Sequence, residues 1–350
     1  MAIFLGKPSR SYLQRVIYRQ LGAVKPNVLV GPRFGVDNAV VRIATNKVMV
    51  VTADPLSFIP ALGTSESAWL SVNLIASDLA ASGFQPQYGV FDFNLPPRMS
   101  NRRFANYWAF FHKECKRLGL AIIGGHTGRY EGCDYTIIGA GMMYAVGDEG
   151  KYLTSEMGQI DDDIVLTKGA AIETTAVLTR VFPKTVRRAL GDRLFERAQK
   201  YLGKVSTVKD SLTAVAVGVH ENGVTSMHDA TEGGVIAATC ELAAASRHGA
   251  ELNLNAVPIS EETERVCKVF GIDPLTSLSE GSLVLTCHPR KTSKVIARLR
   301  GAKIEASIVG QLTKPGNVYA VADKGRKAIK YPKFDPYWRA YWKATSKHWK

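Results

Sequence analysis

Long apolar runs are missing from this 350-residue chain: none approaches the ~18 residues of a membrane-crossing helix, although 46% of its residues are hydrophobic. The first residues turn polar at Lys7, too early for the apolar core of a secretory signal. Cysteine is scarce as well. Cys115, Cys133, Cys240, Cys267 and Cys287 contain no C-x-x-C pair, and an odd number fits no complete disulfide framework. They read as reduced, mostly buried thiols of a soluble, cytoplasmic protein. There is no G-x-S-x-G elbow, no H-E-x-x-H and no zinc-finger spacing, so nothing supports a Ser or Cys nucleophile or a zinc site. Low-complexity sequence and short-period repeats are also missing, except for a basic C-terminal stretch.

Acidic residues run short: 31 Asp and Glu against 45 Lys and Arg leave a net charge of +14. Such an excess attracts nucleic acid, anionic membranes or phosphorylated metabolites. It is unevenly placed. Residues 324–350 carry nine basic side chains against the single acid Asp335, more than half of the whole excess. The excess therefore describes a tail and not the main body.

Length points to roughly two domains at ~150 residues each. Hydrophobic periodicity predicts a helix over 13–21, strands over 36–44 and 47–53, a helix from 64 to 83, and a strand over 88–95. A helix over 101–118, a buried strand over 120–123, a glycine-rich loop and a strand over 135–146 follow. Residues 147–159 are polar and serve as the candidate linker. The alternation then restarts. Strands fit 164–167, 252–256, 283–286 and 303–309; helices fit 173–181, 186–202, 208–220 and 235–247. Interleaved strands and helices in both halves make the class α/β (α+β). The division expected is 1–150, 160–322 and a basic aromatic tail over 323–350.

Several residues could carry chemistry. Asp37 sits in Gly35-Val-Asp-Asn, Asp54 closes a strand before Pro55, and Asp78 lies on the helix after residue 64. Three carboxylates from separate elements suit a hard cation such as Mg²⁺, which takes oxygen ligands and nucleotide phosphates. Each is equally at home as a turn former or a helix-surface residue. Gly124-Gly125-His126-Thr127 follows the buried strand, and paired glycines let backbone N–H groups approach an anion. A tight turn with a surface histidine is the other reading. In Met227-His-Asp-Ala-Thr-Glu-Gly-Gly234, Asp229 and Thr231 can cap the helix that follows, and Gly233 and Gly234 leave amides at its positive end. An ordinary N-cap with a packing glycine explains the same run. His228 beside Asp229 suggests an acid–base pair, although neighbours in sequence need not face the same way. In the tail, Tyr337, Trp338, Tyr341 and Trp342 share one face of a helix begun by Asp335-Pro336. That face could stack bases, lie on a membrane or pack on the body with the lysines outside. The packed arrangement is preferred.

Taken together, these segments resemble the superfamily of aminoimidazole ribonucleotide (AIR) synthetase, thiamine-monophosphate kinase, selenophosphate synthetase and the HypE-type hydrogenase maturation proteins. The resemblance rests on Val30-Gly-Pro-Arg-Phe-Gly-Val-Asp-Asn-Ala-Val40, Val51-Thr-Ala-Asp-Pro55, residues 71–83 and Gly124-Gly-His-Thr127 in the first half. In the second half it rests on Asp229-Ala-Thr-Glu-Gly-Gly234, Gly271-Ile-Asp-Pro274, Ser279-Glu-Gly281 and Ile308-Val-Gly310. Gly271-Ile-Asp-Pro274 and Ser279-Glu-Gly281 are closest to the HypE type. The resemblance implies a two-domain PurM-like fold, with N-terminal sheets pairing across a homodimer. It implies ATP and Mg²⁺, with Asp37, Asp54 and Asp78 on the metal and phosphates. Gly124, Gly125, His126 and Thr127 would line the phosphate cleft with Asp229, Thr231, Gly233 and Gly234. The implied reaction is phosphorylation of a small-molecule acceptor by ATP.

The chain departs from the pattern in four places. His126 stands where many relatives have Asp. Gly35-Val-Asp-Asn has one acid where relatives often have two. Asn73-Leu-Ile-Ala-Ser shifts the spacing before Asp78. HypE-type proteins end in a tail whose terminal cysteine accepts the carbamoyl group, whereas the last cysteine here is Cys287; the cyanide-forming dehydration is thus not expected by its usual route. The N-terminal arm has no cysteine for the selenophosphate reaction, while residues 71–83 look like the thiamine-phosphate kinase helix. An ATP-dependent enzyme is therefore the leading expectation. A nucleotide-binding paralogue that acts as a regulator or on a protein partner comes second, and nucleic-acid or membrane contact through 331–350 comes last.

Overall fold

A computed structural model describes residues 6–322 and 325–350. Residues 1–5, at the start of the expected N-terminal domain, and 323–324, where the expected tail begins, lie outside the described residues. The chain opens with α1 (Arg10–Tyr12) and a π turn over Leu13–Ile17. There follow β1 (Val28–Val30), β2 (Ala39–Ala44), β3 (Lys47–Ser57), α2 (Gly63–Ala80), β4 (Tyr88–Leu95), α3 (Asn101–Leu118), β5 (Ala121–Arg129) and β6 (Ile137–Asp148). The second half runs β7 (Asp163–Thr167), α4 (Ile172–Val181), α5 (Pro183–Leu190), α6 (Asp192–Gln199), α7 (Val208–Val215), β8 (Val224–Ala230) and α8 (Gly234–Ala245). It ends with β9 (Gly249–Asn253), α9 (Glu261–Phe270), β10 (Ser282–Cys287), α10 (Pro289–Gly301), β11 (Ala306–Thr313), β12 (Val318–Ala322), β13 (Gly325–Ala328) and α11 (Pro336–Ser346). The class is mixed α and β, as the alternating pattern predicts.

The chain divides into two compact units. The smaller is Asn27–Gly31 with Asn38–Tyr152. Its sheet has the order β1-β2-β3-β6-β4-β5, antiparallel except for the parallel β4–β5 pair. The alternation of β4 turns Phe91, Phe93 and Leu95 inward and leaves Tyr88 exposed. Phe91 and Phe93 meet Tyr107 and Phe111 of α3 in edge-to-face contacts, Phe91 and Phe111 at 4.8 Å between centroids. Ser100 caps α3 and Gly119, left-handed at φ 72°, ends it. Asn73, the residue that shifts the motif spacing, is fully buried and donates to Glu114 Oε1 of α3 at 2.7 Å. It joins α2 to α3.

The larger unit comprises Pro32–Asp37, Leu153–Lys350 and the N-terminal segment up to Pro26. Its sheet has the order β13-β12-β9-β11-β7-β10-β8. Strands β8 and β10 are buried along their whole length. One core cluster packs α8 against this sheet through Val235, Leu242, Ile164 and Val284. A second joins α4, α5, α6 and α9, and α11 completes it with Tyr337, Ala340 and Ala344. The aromatic tail is therefore packed on the body, while Trp342 at the rim is half exposed.

The structure differs from the sequence reading at two motifs. Gly124–Thr127 is not a loop, because β5 continues through it to Arg129. Asp54 does not end its strand, because β3 runs on to Ser57. The five cysteines are free thiols, of which Cys115, Cys267 and Cys287 are buried. No described helix is long and apolar enough to cross a membrane.

Candidate functional site

Strand β8 sets the chemistry of the larger unit. A strand buried on both faces is ordinarily apolar, yet β8 carries Thr225, Ser226, His228 and Asp229, all buried. Buried polar groups require partners, and those of His228 come from two other segments. Its Nδ1 lies 2.7 Å from Asp37 Oδ2, and its Nε2 lies 2.8 Å from Glu241 Oε2 on α8. The other Glu241 oxygen accepts from the Tyr331 hydroxyl at 2.5 Å. An ionised carboxylate only accepts, and a neutral imidazole has one N–H. The arrangement is satisfied when both ring nitrogens donate, so His228 is an imidazolium. Burial pushes its pKa down, but Asp37 and then Glu241 outweigh burial and hold it well above 6.5. For Glu241, burial pushes upward and His228 outweighs it, leaving the carboxyl below its usual value.

Local sequence makes this chain of contacts possible. Gly35, at φ 77°, brings the segment before Asp37 so close to α8 that an added Cβ would lie 2.5 Å from the Glu241 carbonyl oxygen. Asp37, His228 and Asp229 each place one ligand atom within 4.8 Å of the others. With both His228 nitrogens committed to carboxylates, this group offers a cation only oxygen donors. His228 thus pairs with Asp37 and Glu241, and not with Asp229 as an acid–base couple.

The start of α8 also departs from expectation. Gly233 occupies the N-cap position, and neither Asp229 nor Thr231 caps the helix: Asp229 lies within β8. The Gly233 N–H instead donates to Asp335 Oδ2 of the tail at 2.7 Å. Lys7 and Trp338 hold the neighbouring Glu232 through N–H bonds of 2.8 and 3.2 Å, and Lys7 Nζ reaches Thr231 Oγ1 at 3.0 Å. An added Cβ on Gly234 would lie 2.7 Å from the carbonyl oxygens of Leu275 and Ser277, so this glycine is a packing requirement.

The other candidates lie in the smaller unit. Asp54 and Thr52 share one face of β3, and the Thr52 hydroxyl donates to Asp78 Oδ2 on α2 at 3.3 Å. Cross-strand register puts Asp54, Gly141, Phe91 and Gly125 in one row across the sheet. β5 is an edge strand. Gly124, Gly125, His126 and Thr127 line a pocket of about 280 Å³ walled by Phe91, Phe93 and Trp108. His126 Nε2 lies 2.7 Å from the Tyr130 hydroxyl. Asp37 on one side, and Asp54 and Asp78 on the other, thus belong to different units. The sequence marks Asp335 only as a helix start and Tyr331 only as a tail aromatic, and it gives Glu241 no role. A lone Glu inside the apolar run of α8 was the signal available for Glu241, since unpaired acids are almost never fully buried.

Comparison with known proteins gives two family matches. Residues 35–143 match the N-terminal domain of AIR synthase related proteins, and residues 159–323 match their C-terminal domain. A Methanocaldococcus jannaschii protein named for hydrogenase expression/formation is 25% identical over 337 residues, covering 95% of this chain and 96% of its own. The structure of the hydrogenase maturation protein HypE in complex with ATP is similar, with a TM-score of 0.63 and 18% identity over 95% of this chain and 97% of that one. AaThiL complexed with AMPPCP and TMP is similar at a TM-score of 0.68 and 17% identity, over 87% of this chain and 91% of its own.

Proposed function

The chain belongs to the AIR synthase related family, and on that premise we propose that it is a Mg-ATP-dependent enzyme that phosphorylates a small acceptor. The observation that carries the reading is the match to both family domains, and nucleotide complexes among the similar structures support it. Phosphoryl transfer needs positioning and charge neutralisation more than a covalent nucleophile. In this reading the edge strand β5 offers backbone N–H groups of Gly124–Thr127 to phosphate oxygens. The half-buried carboxylates of Asp54 and Asp78 are oxygen donors of the kind Mg²⁺ takes, and they would hold it. Bound there, the ion would supply charge neutralisation on the phosphates. His228 orients the Asp37 carboxyl in the other unit through the 2.7 Å contact.

The test is calorimetric titration of ATP with and without Mg²⁺, on the wild type and on Asp54→Asn. The expected result is Mg²⁺-dependent binding, weakened at least about tenfold by the variant, as for loss of one charged contact. No binding to the wild type would sink the reading. A second reading, nucleotide binding without catalysis, is favoured by His126, which turns to Tyr130 where many relatives carry an acid. ATP turnover with any acceptor in a metabolite screen would remove it.

The family resemblance also implies a homodimer. Support comes from the sheet face opposite α2 and α3, which bares Met142 at 40% and Val146 at 37% exposure beside half-buried Met49, Val51 and Val90. Contiguous exposed apolar side chains of this kind favour association. Sedimentation should give a dimer, and Met142→Lys should shift it to monomer; a monomeric wild type would count against the pairing.

A further inference from the structure

The larger unit contains a cavity of about 730 Å³ at the C-terminal end of α8, remote along that helix from Gly233 and Gly234. Its volume suits a small molecule. The lining includes Arg33, Asp162, His220, Glu221, Arg247 and His288. Two of these residues hold left-handed backbones, His220 at φ 56° and Arg247 at φ 62°. Arg247 follows the Ser246 C-cap of the helix, where the Arg247 and His248 N–H groups bond the Ala244 and Ala243 carbonyls at 3.2 and 2.8 Å. Glycine is the usual residue at that position, and a side chain there costs roughly 1–2 kcal/mol. Arg247 enters no ion pair among the described residues, so no salt bridge accounts for its retention.

The lining carries charges of both signs. Arg33 is already matched by Glu156 at 2.7 Å. That leaves the exposed Arg247 guanidinium as the arginine of the lining without an ion pair among the described residues. Asp162 is buried and accepts from the Thr225 hydroxyl at 2.6 Å and the Gln159 N–H at 2.8 Å. Asp162 and Glu221 supply the carboxylates of the lining. A polyphosphate would meet those carboxylates, and a polyamine would meet the Arg247 guanidinium. A molecule bearing one charge of each sign matches both.

We propose that this cavity binds a small zwitterion of the amino-acid class, its carboxylate on Arg247 and its ammonium group on Asp162 and Glu221. The test uses the full chain and each standard L-amino acid at millimolar concentration, by thermal shift and then calorimetry. At least one free amino acid should raise the melting temperature. Its N-acetyl and amide derivatives should bind at least about tenfold more weakly, since each lacks one charged contact. Arg247→Gly removes the guanidinium and relaxes the backbone, so it should melt no lower than the wild type yet lose the ligand. Its ATP titration should match that of the wild type. No response to any free amino acid overturns the proposal, and so does equal binding of the blocked derivatives or undiminished binding by Arg247→Gly.

Discussion

Replacing His228 by alanine is expected to destabilise the larger unit by about 3–5 kcal/mol, the usual result of removing one partner from a buried ionic cluster. The variant leaves Asp37 and Glu241, which the imidazolium joins through bonds of 2.7 and 2.8 Å, without their shared cation. The dependence on pH separates this from ordinary loss of packing. A histidine whose pKa is raised by folding contributes fully below its unfolded value near 6.5, and that contribution is lost as pH rises through the higher folded value. Glu241 is shifted the other way, so its contribution is present above about 4.5 and lost as pH falls through its lowered folded value. Both act together between about pH 4.5 and 6.5. Denaturant melts of wild type and variant should show the penalty greatest in that window and shrinking above it. A neutral imidazole would reverse the trend, because the unfolded chain would then take up the proton and the penalty would grow from about pH 5.5 to 8. Growth in that range would refute the assignment.

The sequence carried much of the fold because periodicity is local. The strand expected over 88–95 and the helix over 101–118 are β4 and α3 to the residue. In α3 a Ser cap, a strong 3.6-residue stripe and a closing glycine all agree. The family was legible through the order of its short motifs, each of which is weak alone. The Gly124–Thr127 segment misled because paired glycines read as a turn. In the sheet, Gly125 is required because a Cβ there would lie 2.1 Å from the Phe91 carbonyl oxygen. Such a clash comes from the pairing of β4 with β5 and has no local signature. The partners of His228 were hidden for the same reason. Asp37 lies 191 residues away in sequence, and Tyr331 reaches Glu241 across 90.

The tail gives the other large effect. Deletion of residues 331–350 is expected to lower the melting temperature strongly and to make the larger unit unfold less cooperatively. Tyr337, Ala340 and Ala344 complete the core cluster of Phe182, Val186 and Val266, the Tyr341 ring meets Phe182 at 5.7 Å, and Trp349 meets Phe270 at 5.4 Å. Loss of one buried aromatic side chain costs about 3–5 kcal/mol, and the deletion removes several. Tyr337→Ala, which spares the rest of the tail, should lose an amount in that range and so keep the test informative if the deletion fails to fold. The docking also responds to pH through Asp335, whose carboxyl is pushed up to about 6 by burial, against the opposing N–H bonds from Gly233 and Tyr337. For an acid raised in this way, the contribution is present below the unfolded value of 3.8 and lost as pH rises through about 6. Protease protection of the tail should therefore weaken between about pH 4 and 6.5 in the wild type and stay level in Asp335→Asn. The competing use of the tail, as an arm for nucleic acid, makes opposite demands on the same side chains. Base stacking needs Tyr337 and Tyr341 exposed, whereas the fold buries Tyr337 and sets Tyr341 against Phe182. If the deleted chain kept its wild-type melting temperature and lost a salt-sensitive affinity for nucleic acid, the packing role would be wrong.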